Sequence, residues 1–424
     1  MKNFIPRFLK FQGFNTIEFK EWLTKRLIEI YIEPAEEMKC CRCGECLDKQ
    51  HSSYKMKVRD LDIKIFKTVI IFNRRKGYCN KCKKIRSEYI DFICPHSPHI
   101  TKELAWSIGK HCEACTLTDA SYLMDEDKML CYRVDYRILQ RLLAGYKIPG
   151  ITRISVDEVY TRKKKKESET RDDLFFTIIT DLKTNKVIYV APSRRKEALD
   201  SFFILLGEEA CKKIEVVACD QHEAYKNSVE EYCKNATVVW DRFHLMQNFN
   251  EAINEARKTL FHKKGLPDEF RKGLQGKNRF IFLSRDKNRN DEQQEFVKKL
   301  IGMNQEFLLL ELIKEKFASF FDALDEAGAR EIWDDLGVMI YNLWDKSVYD
   351  WYKKLDNNFE QVLNYFKYRV TTAVSEGINN VIKMLKRKAF GHRNMEYFRL
   401  KILQKCGWLN SRSISNYYEL SQQI

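Results

Sequence analysis

Residues 214–241 read IEVVACDQHEAYKNSVEEYCKNATVVWD. A run of branched apolar residues closes at Asp220, a helical spacing follows over 222–233, and a second branched run closes at Asp241. Short apolar runs of this kind, bounded by polar residues, predict strands, and the segment between them predicts a helix. Upstream, ISVD (154–157), LFFTIITDL (174–182) and VIYVAPS (187–193) predict three successive strands, and KEALDSFFILLGEEAC (196–211) a helix. A hairpin meander followed by alternating helix and strand makes a mixed α/β sheet.

The element order β-β-β-α-β-α-β is that of an RNase H-like core. Beyond it, residues from about 250 to 365 read as helical, with Trp333, Trp344 and Trp351 expected as core residues at helical spacing. Breakers are scarce, with 16 glycines and 7 prolines in 424 residues, and no proline follows Pro267. Few breakers mean long elements, so the C-terminal part is expected to be mostly helix.

Seven of the 14 cysteines fall in the first hundred residues. Cys43-x-x-Cys46 and Cys79-x-x-Cys82 are read as two knuckles that aim four thiolates at one tetrahedral zinc. The stretch between them, rich in alternating β-formers over 54–72, supplies the strands of a zinc ribbon. Cys40 and Cys41 precede the first knuckle as competitors, and the spacing is read in favour of 43 and 46. Cys94, His96, His99, Cys112 and Cys115 are read as structural rather than as a second site. Pro95 and Pro98 mark a boundary, after which 100–116 and 125–146 show helical patterns compatible with a helix-turn-helix unit.

Two carboxylates stand at strand ends, Asp157 and Asp220, where open α/β sheets gather ligand sites. Glu376 lies in TTAVSEGINNVIKMLKRKAFGHRN (371–394), read as a helix closed by Gly391. Spacing puts Glu376, Asn380, Lys383 and Arg387 on one face of it. Three converging carboxylates suit two hard divalent ions, and such a pair activates an attacking oxygen and stabilises a leaving one in phosphodiester displacement. Lys383, Arg387 and Asn380 are read as the residues that hold the DNA backbone. Asp241 is read as a support for the metal ligands, His222 and His244 as hydrogen-bonding residues, and Glu158 as facing away from Asp157.

Composition bounds the partners. The net charge of +15 favours a polyanion, because each neutralised phosphate releases counterions. No apolar run approaches the length of a membrane span, and Lys2, Arg7 and Lys10 interrupt the N-terminus, so a cytoplasmic protein without a membrane partner is expected.

CRCGEC…CNKC, SVDEVY, ACDQHEAY, VWDRFH and SEGINNVIKMLKRKAFGHRN together resemble the ISL-three family of bacterial insertion-sequence transposases, in order over nearly the whole chain. The resemblance implies a multidomain α/β plus α protein: an N-terminal zinc ribbon, a small helix-turn-helix module, and an RNase H-like catalytic core with a large all-α insertion. The expected division is an N-terminal helical arm (1–37), zinc ribbon (38–95), helix-turn-helix module (96–150), first part of the core (151–255), helical insertion (256–360), and C-terminal core helices carrying the glutamate (361–424). It also implies an acidic triad of Asp157, Asp220 and Glu376 with two Mg²⁺ or Mn²⁺ ions, structural Zn²⁺ on Cys43, Cys46, Cys79 and Cys82, and cleavage and strand transfer at the element's terminal inverted repeats. The partners implied are terminal-repeat and target DNA, with the chain acting as a homo-oligomer on them near the nucleoid. The competing readings are a non-catalytic zinc-ribbon regulator, against which the intact acids argue, and a stand-alone RNase H-like nuclease, against which the N-terminal modules argue. The charged hairpin TRKKKKESETRDD (161–173) is longer than expected for the family and is read as a solvated loop.

Overall fold

The computed structural model describes residues 11–164, 167–370, 373–389 and 394–410. The chain forms two compact units, one from Met1–Lys147 with Arg387–Ile424 and one from Ile148–Lys386. Gly391 and part of the 163–166 lysine run lie outside the described residues.

From residue 11, where it is described, the first unit begins with strands, not with the helical arm expected over 1–37. β1 (Phe14–Trp22) pairs antiparallel with β2 (Leu27–Pro34). The reason is a period of two: Ile28, Ile30 and Ile32 alternate with polar or half-exposed residues, and Ile30 and Ile32 are buried. β3 (Gln50–Ile63) and β5 (Lys84–Ser87) run antiparallel to β4 (Phe66–Cys79), and β2 lies parallel to it, giving the order β1-β2-β4-β3 with β5 also on β4. Phe14, Phe72 and Phe92 close the core of this sheet with edge-to-face contacts 5.4–5.9 Å apart.

Three helices follow: α1 (Lys102–Ala114), α2 (Leu117–Met124) and α3 (Lys128–Gly145). The stretch between the two expected helical patterns is itself α2, because Thr116 and Asp119 form a reciprocal capping box at its start. Asp125, in the left-handed region, ends α2, and Asp127 caps α3 two residues later.

The second unit is built on the sheet β10-β9-β6-β7-β8. Its strands are β6 (Arg153–Tyr160), β7 (Phe175–Asp181), β8 (Lys186–Pro192), β9 (Val216–Cys219) and β10 (Thr237–Trp240). β6, β7 and β8 form an antiparallel meander, while β9 and β10 run parallel to β6. α4 (Lys196–Leu206) and the short α5 (Glu208–Cys211) link β8 to β9, and α6 (Glu223–Tyr232) links β9 to β10.

From β10 to residue 368 every regular element is helical. These are α7 (Arg242–His262), α8 (Asp268–Gly273), α9 (Asn278–Leu283), α10 (Asp291–Met303), α11 (Gln305–Phe320), α12 (Glu326–Leu343), α13 (Lys346–Asp356) and α14 (Phe359–Tyr368), apart from one turn of 3₁₀ helix at Asp286–Asn288. One continuous apolar core runs from Ile151, just before β6, through the sheet to Phe366 in α14, so these helices and the sheet are not packed as separate bodies. Trp333 and Trp351 are in that core, but Trp344 is 75% exposed, because it ends α12 in the left-handed conformation. α15 (Ala373–Lys388) follows.

α16 (Met395–Cys406) belongs to the first unit, not to the unit of the β6–β10 sheet where the expected division of 361–424 put it. It packs on α3 through a buried charge: Tyr397 Oη donates to Asp135 Oδ2 at 2.6 Å and Lys401 Nζ at 3.2 Å. Asp135 is fully buried, so these two donors are what allow a carboxylate there.

Candidate active site and metal centres

Strand register brings the acids together. Val156 pairs with Cys219, and Cys219 with Trp240, so the next residue on each of three adjacent parallel strands is an aspartate: Asp157, Asp220 and Asp241. β6 does not end at Asp157 as expected but continues to Tyr160 along β7; only its pairing with β9 stops there. Each side chain is oriented locally. Asp157 Oδ1 accepts from the Glu158 amide and Asp220 Oδ1 from the Gln221 amide, both at 2.6 Å, and Asp241 caps α7 by accepting from the Phe243 amide at 3.0 Å.

His244, in the first turn of α7, stands among the three. Its Nε2 lies 3.8 Å from Asp157 and from Asp241, and its Nδ1 lies 3.9 Å from Asp220. The Asp157 carboxylate above all, with the charges of Asp220 and Asp241, pulls the imidazole up to about 9 against the opposing effect of burial. His244 is therefore an imidazolium at neutral pH, placed among the acids. Asp241 is the most buried of the three, at 7% exposure against 38% for Asp220, and stands in the same row.

α15 runs beside β6 and carries Glu376 in its first turn. A cavity of about 590 Å³ is lined by Asp157, Glu158, Asp241, His244, Glu376, Asn379, Asn380 and Lys383, together with residues of α7. Asp220 is not part of its wall, and Arg387, further along α15, is exposed and does not line it. Glu158 turns to Arg194, whose Nη1 lies 3.3 Å from its Oε2. Sequence spacing singled out Asn380, but the residue that reaches an acid is Asn379, whose Nδ2 donates to Asp157 Oδ2 at 2.7 Å.

The donor set fits hard divalent cations: four carboxylates, and the buried Oδ1 of Asn379, which has no hydrogen-bond partner. Among the described residues these acids stand farther apart than a single tight ligand cluster, since the one group of three or more close ligand atoms is the cysteines.

That group is Cys40, Cys43, Cys79 and Cys82, all four sulfurs within 4.8 Å of one another. Cys43 and Cys79 sulfurs are 3.5 Å apart and those of Cys40 and Cys82 are 4.0 Å apart, close to the ~3.8 Å edge of a tetrahedron with Zn–S bonds of about 2.3 Å. Cys46, expected as a ligand, instead points its thiol at Glu37. Cys40-x-x-Cys43 has the same spacing as Cys43-x-x-Cys46, and backbone geometry decides between them. Gly44 takes φ +73° directly after Cys43, as Lys83 takes φ +50° directly after Cys82, so the two turns match. The glycine after Cys43 was the signal in the sequence: it marks where the chain must enter the left-handed region.

Known proteins resemble this chain in sequence. A family model described as "Transposase", of the ISL-three DDE type, matches residues 154–402, which hold the row of aspartates, α7 to α14 and Glu376. The chain is similar to the transposase for insertion sequence element IS1001 of Bordetella parapertussis, 24% identical over 92% of this chain and 95% of that one. It is also similar to the transposase for IS1557 of Mycobacterium tuberculosis, 27% identical over 35% of this chain and 32% of that one. With more than half its length matched by the model, and all of the acid-bearing elements inside the match, this chain belongs to the ISL-three family of DDE transposases.

Proposed function

We propose that this transposase binds the terminal repeats of its insertion sequence and cuts and joins DNA with Asp157, Asp220 and Glu376 as the ligands of a pair of Mg²⁺ or Mn²⁺ ions. The observation that carries the reading is the row of aspartates that follows the last paired residues of three parallel strands, with Glu376 lining the same cavity as Asp157 and Asp241. Divalent metal use goes with the family; bound ions would activate the attacking oxygen and steady the leaving one. The chain's own residues hold those carboxylates in register, and Asp241 and His244 support them. Lys383 at the cavity holds a phosphate, with Asn380 beside it and Arg387 farther along the helix.

In this reading the β6–β10 sheet is an RNase H-like core, and α7 to α14 are its helical elaboration. The β1–β5 sheet with its four cysteines is a zinc ribbon. α2 and α3 form a helix-turn-helix whose exposed Met129, Arg133 and Arg137 face DNA. The active form is a homo-oligomer on DNA, as two element ends have to be handled together. No helix is long and apolar enough to cross a membrane among the described residues, in keeping with action on DNA in the cytoplasm.

The test is incubation with the element's own flanking DNA and Mg²⁺, with nicks mapped to the nucleotide. Asp157→Asn, Asp220→Asn and Glu376→Gln should each lower cleavage about a hundredfold or more while end binding persists, since a metal pair supplies several kcal/mol to the transition state. A Glu376→Gln protein that nicks its ends at the wild-type rate would remove the triad.

A further inference from the structure

α15 meets β6 at two points near the acids. Ser375 Oγ lies 3.0 Å from Ser155 Oγ, and Asn379 Nδ2 donates to Asp157 Oδ2 at 2.7 Å. The second contact leaves the other half of the amide unused. Asn379 Oδ1 is buried and accepts no hydrogen bond. Exchanging the two amide atoms would not relieve this, because it would set an oxygen against a carboxylate that only accepts. The orientation is therefore dictated by Asp157, and the orphan oxygen is a consequence of it. A buried acceptor without a donor is costly, and such atoms are retained where something else satisfies them.

We infer that Asn379 is a positioning residue for the metal site: its Nδ2 holds Asp157, and its Oδ1 faces a divalent ion or a water in that ion's shell. The inference rests on the metal reading of the acids given above. An amide oxygen is a hard donor of the kind these ions accept. It is also neutral. Asp157, Asp220, Asp241 and Glu376 already bring four negative charges, and a fifth carboxylate against Asp157 would repel it. An asparagine thus serves where an aspartate would not: one end donates to a ligand while the other acts as an acceptor.

The test titrates Mn²⁺ into full-length chain prepared with zinc, following free Mn²⁺ by electron paramagnetic resonance, with thermal unfolding of each variant measured alongside. Asn379→Ala should weaken Mn²⁺ binding about 10- to 100-fold, the usual effect of losing a residue that orients a metal ligand. Asp157→Asn should abolish that binding. If Asp157→Asn binds as tightly as wild type, the metal reading of the acids fails and this inference falls with it. If Asp157→Asn loses the ion but Asn379→Ala retains wild-type affinity, only this inference is overturned, and Asn379 merely packs. Should the alanine variant not fold, Asn379→Asp gives a second readout. Metal-free it should melt below wild type, and saturating Mn²⁺ should raise its melting temperature more than it raises that of wild type. An equal or smaller rise would overturn the inference.

Discussion

Ser155 and Ser375, 220 residues apart in the chain, share a buried hydrogen bond of 3.0 Å, and that bond sets the register of α15 on β6. Two residues along the strand, Asp157 meets Asn379, four residues along the helix. Farther on, Lys386 Nζ donates to the Tyr160 carbonyl at 3.4 Å and sits 4.9 Å from the centre of its ring. The spacings agree because two strand residues rise about 6.6 Å and four helical residues about 6 Å. Strand and helix therefore run alongside in the same direction, and Glu376 is carried next to the row of aspartates by contacts on either side of it.

The serine pair should behave as a coupled unit. Ser155→Ala strands the buried Ser375 hydroxyl and should cost about 1–3 kcal/mol in denaturant unfolding. Adding Ser375→Ala should cost little more, since no acceptor is then left unpaired. Additive losses would mean that the two hydroxyls do not depend on one another.

Zinc content should separate the alternative cysteine sets. Cys40→Ser should lose the metal and unfold the β1–β5 sheet locally, because binding energy in a small metal domain is largely folding energy. Cys46→Ser, whose thiol faces Glu37, should keep one zinc per chain. The reverse pattern would restore the spacing-based choice.

His244 makes the metal-free protein pH-sensitive. Its folded value is raised to about 9 by Asp157, Asp220 and Asp241, above the ~6.5 of an unfolded histidine. The contribution is therefore complete below about pH 6.5 and is lost as pH rises through 9. In chelator, wild type should lose stability across that window, and His244→Asn should lose less; equal slopes in the two proteins would show that the imidazolium does not hold the acids.

The first unit should depend on its buried ion pair. Lys401→Met leaves Asp135 buried with only Tyr397 to donate to it and should cost about 3–5 kcal/mol. Hydrogen exchange should show α1, α3 and α16 opening while the β6–β10 sheet stays protected. Uniform protection in both units would contradict the assignment of α16.

Much of this was legible in the sequence for a physical reason. The five strands of the second sheet are short branched runs with polar ends, and Asp157 and Asp220 are the residues that close or follow them. Asn379 was not legible, since helical spacing alone favours Asn380 and cannot show how α15 is rotated against β6. Cys40 was missed because two overlapping CxxC spacings share Cys43, and only the conformation at Gly44 separates them. The hairpin of β1 and β2 was missed although its isoleucines alternate. The place of α16 could not be read at all: a buried aspartate pairing with a lysine 266 residues later leaves no local trace.

That last pairing bears on synthesis. The chain leaves the first unit at Lys147 and returns to it at Arg387, so the ribosome completes the whole acid-bearing unit before the partner of Asp135 exists. Until Lys401 emerges, the helix that carries Arg133 and Arg137 has an uncompensated charge on its inner face. A polypeptide cut short before α16 would then carry the β6–β10 sheet with its row of aspartates but not a settled first unit. If α2 and α3 bind DNA as proposed, prematurely terminated products should be poor competitors for element ends.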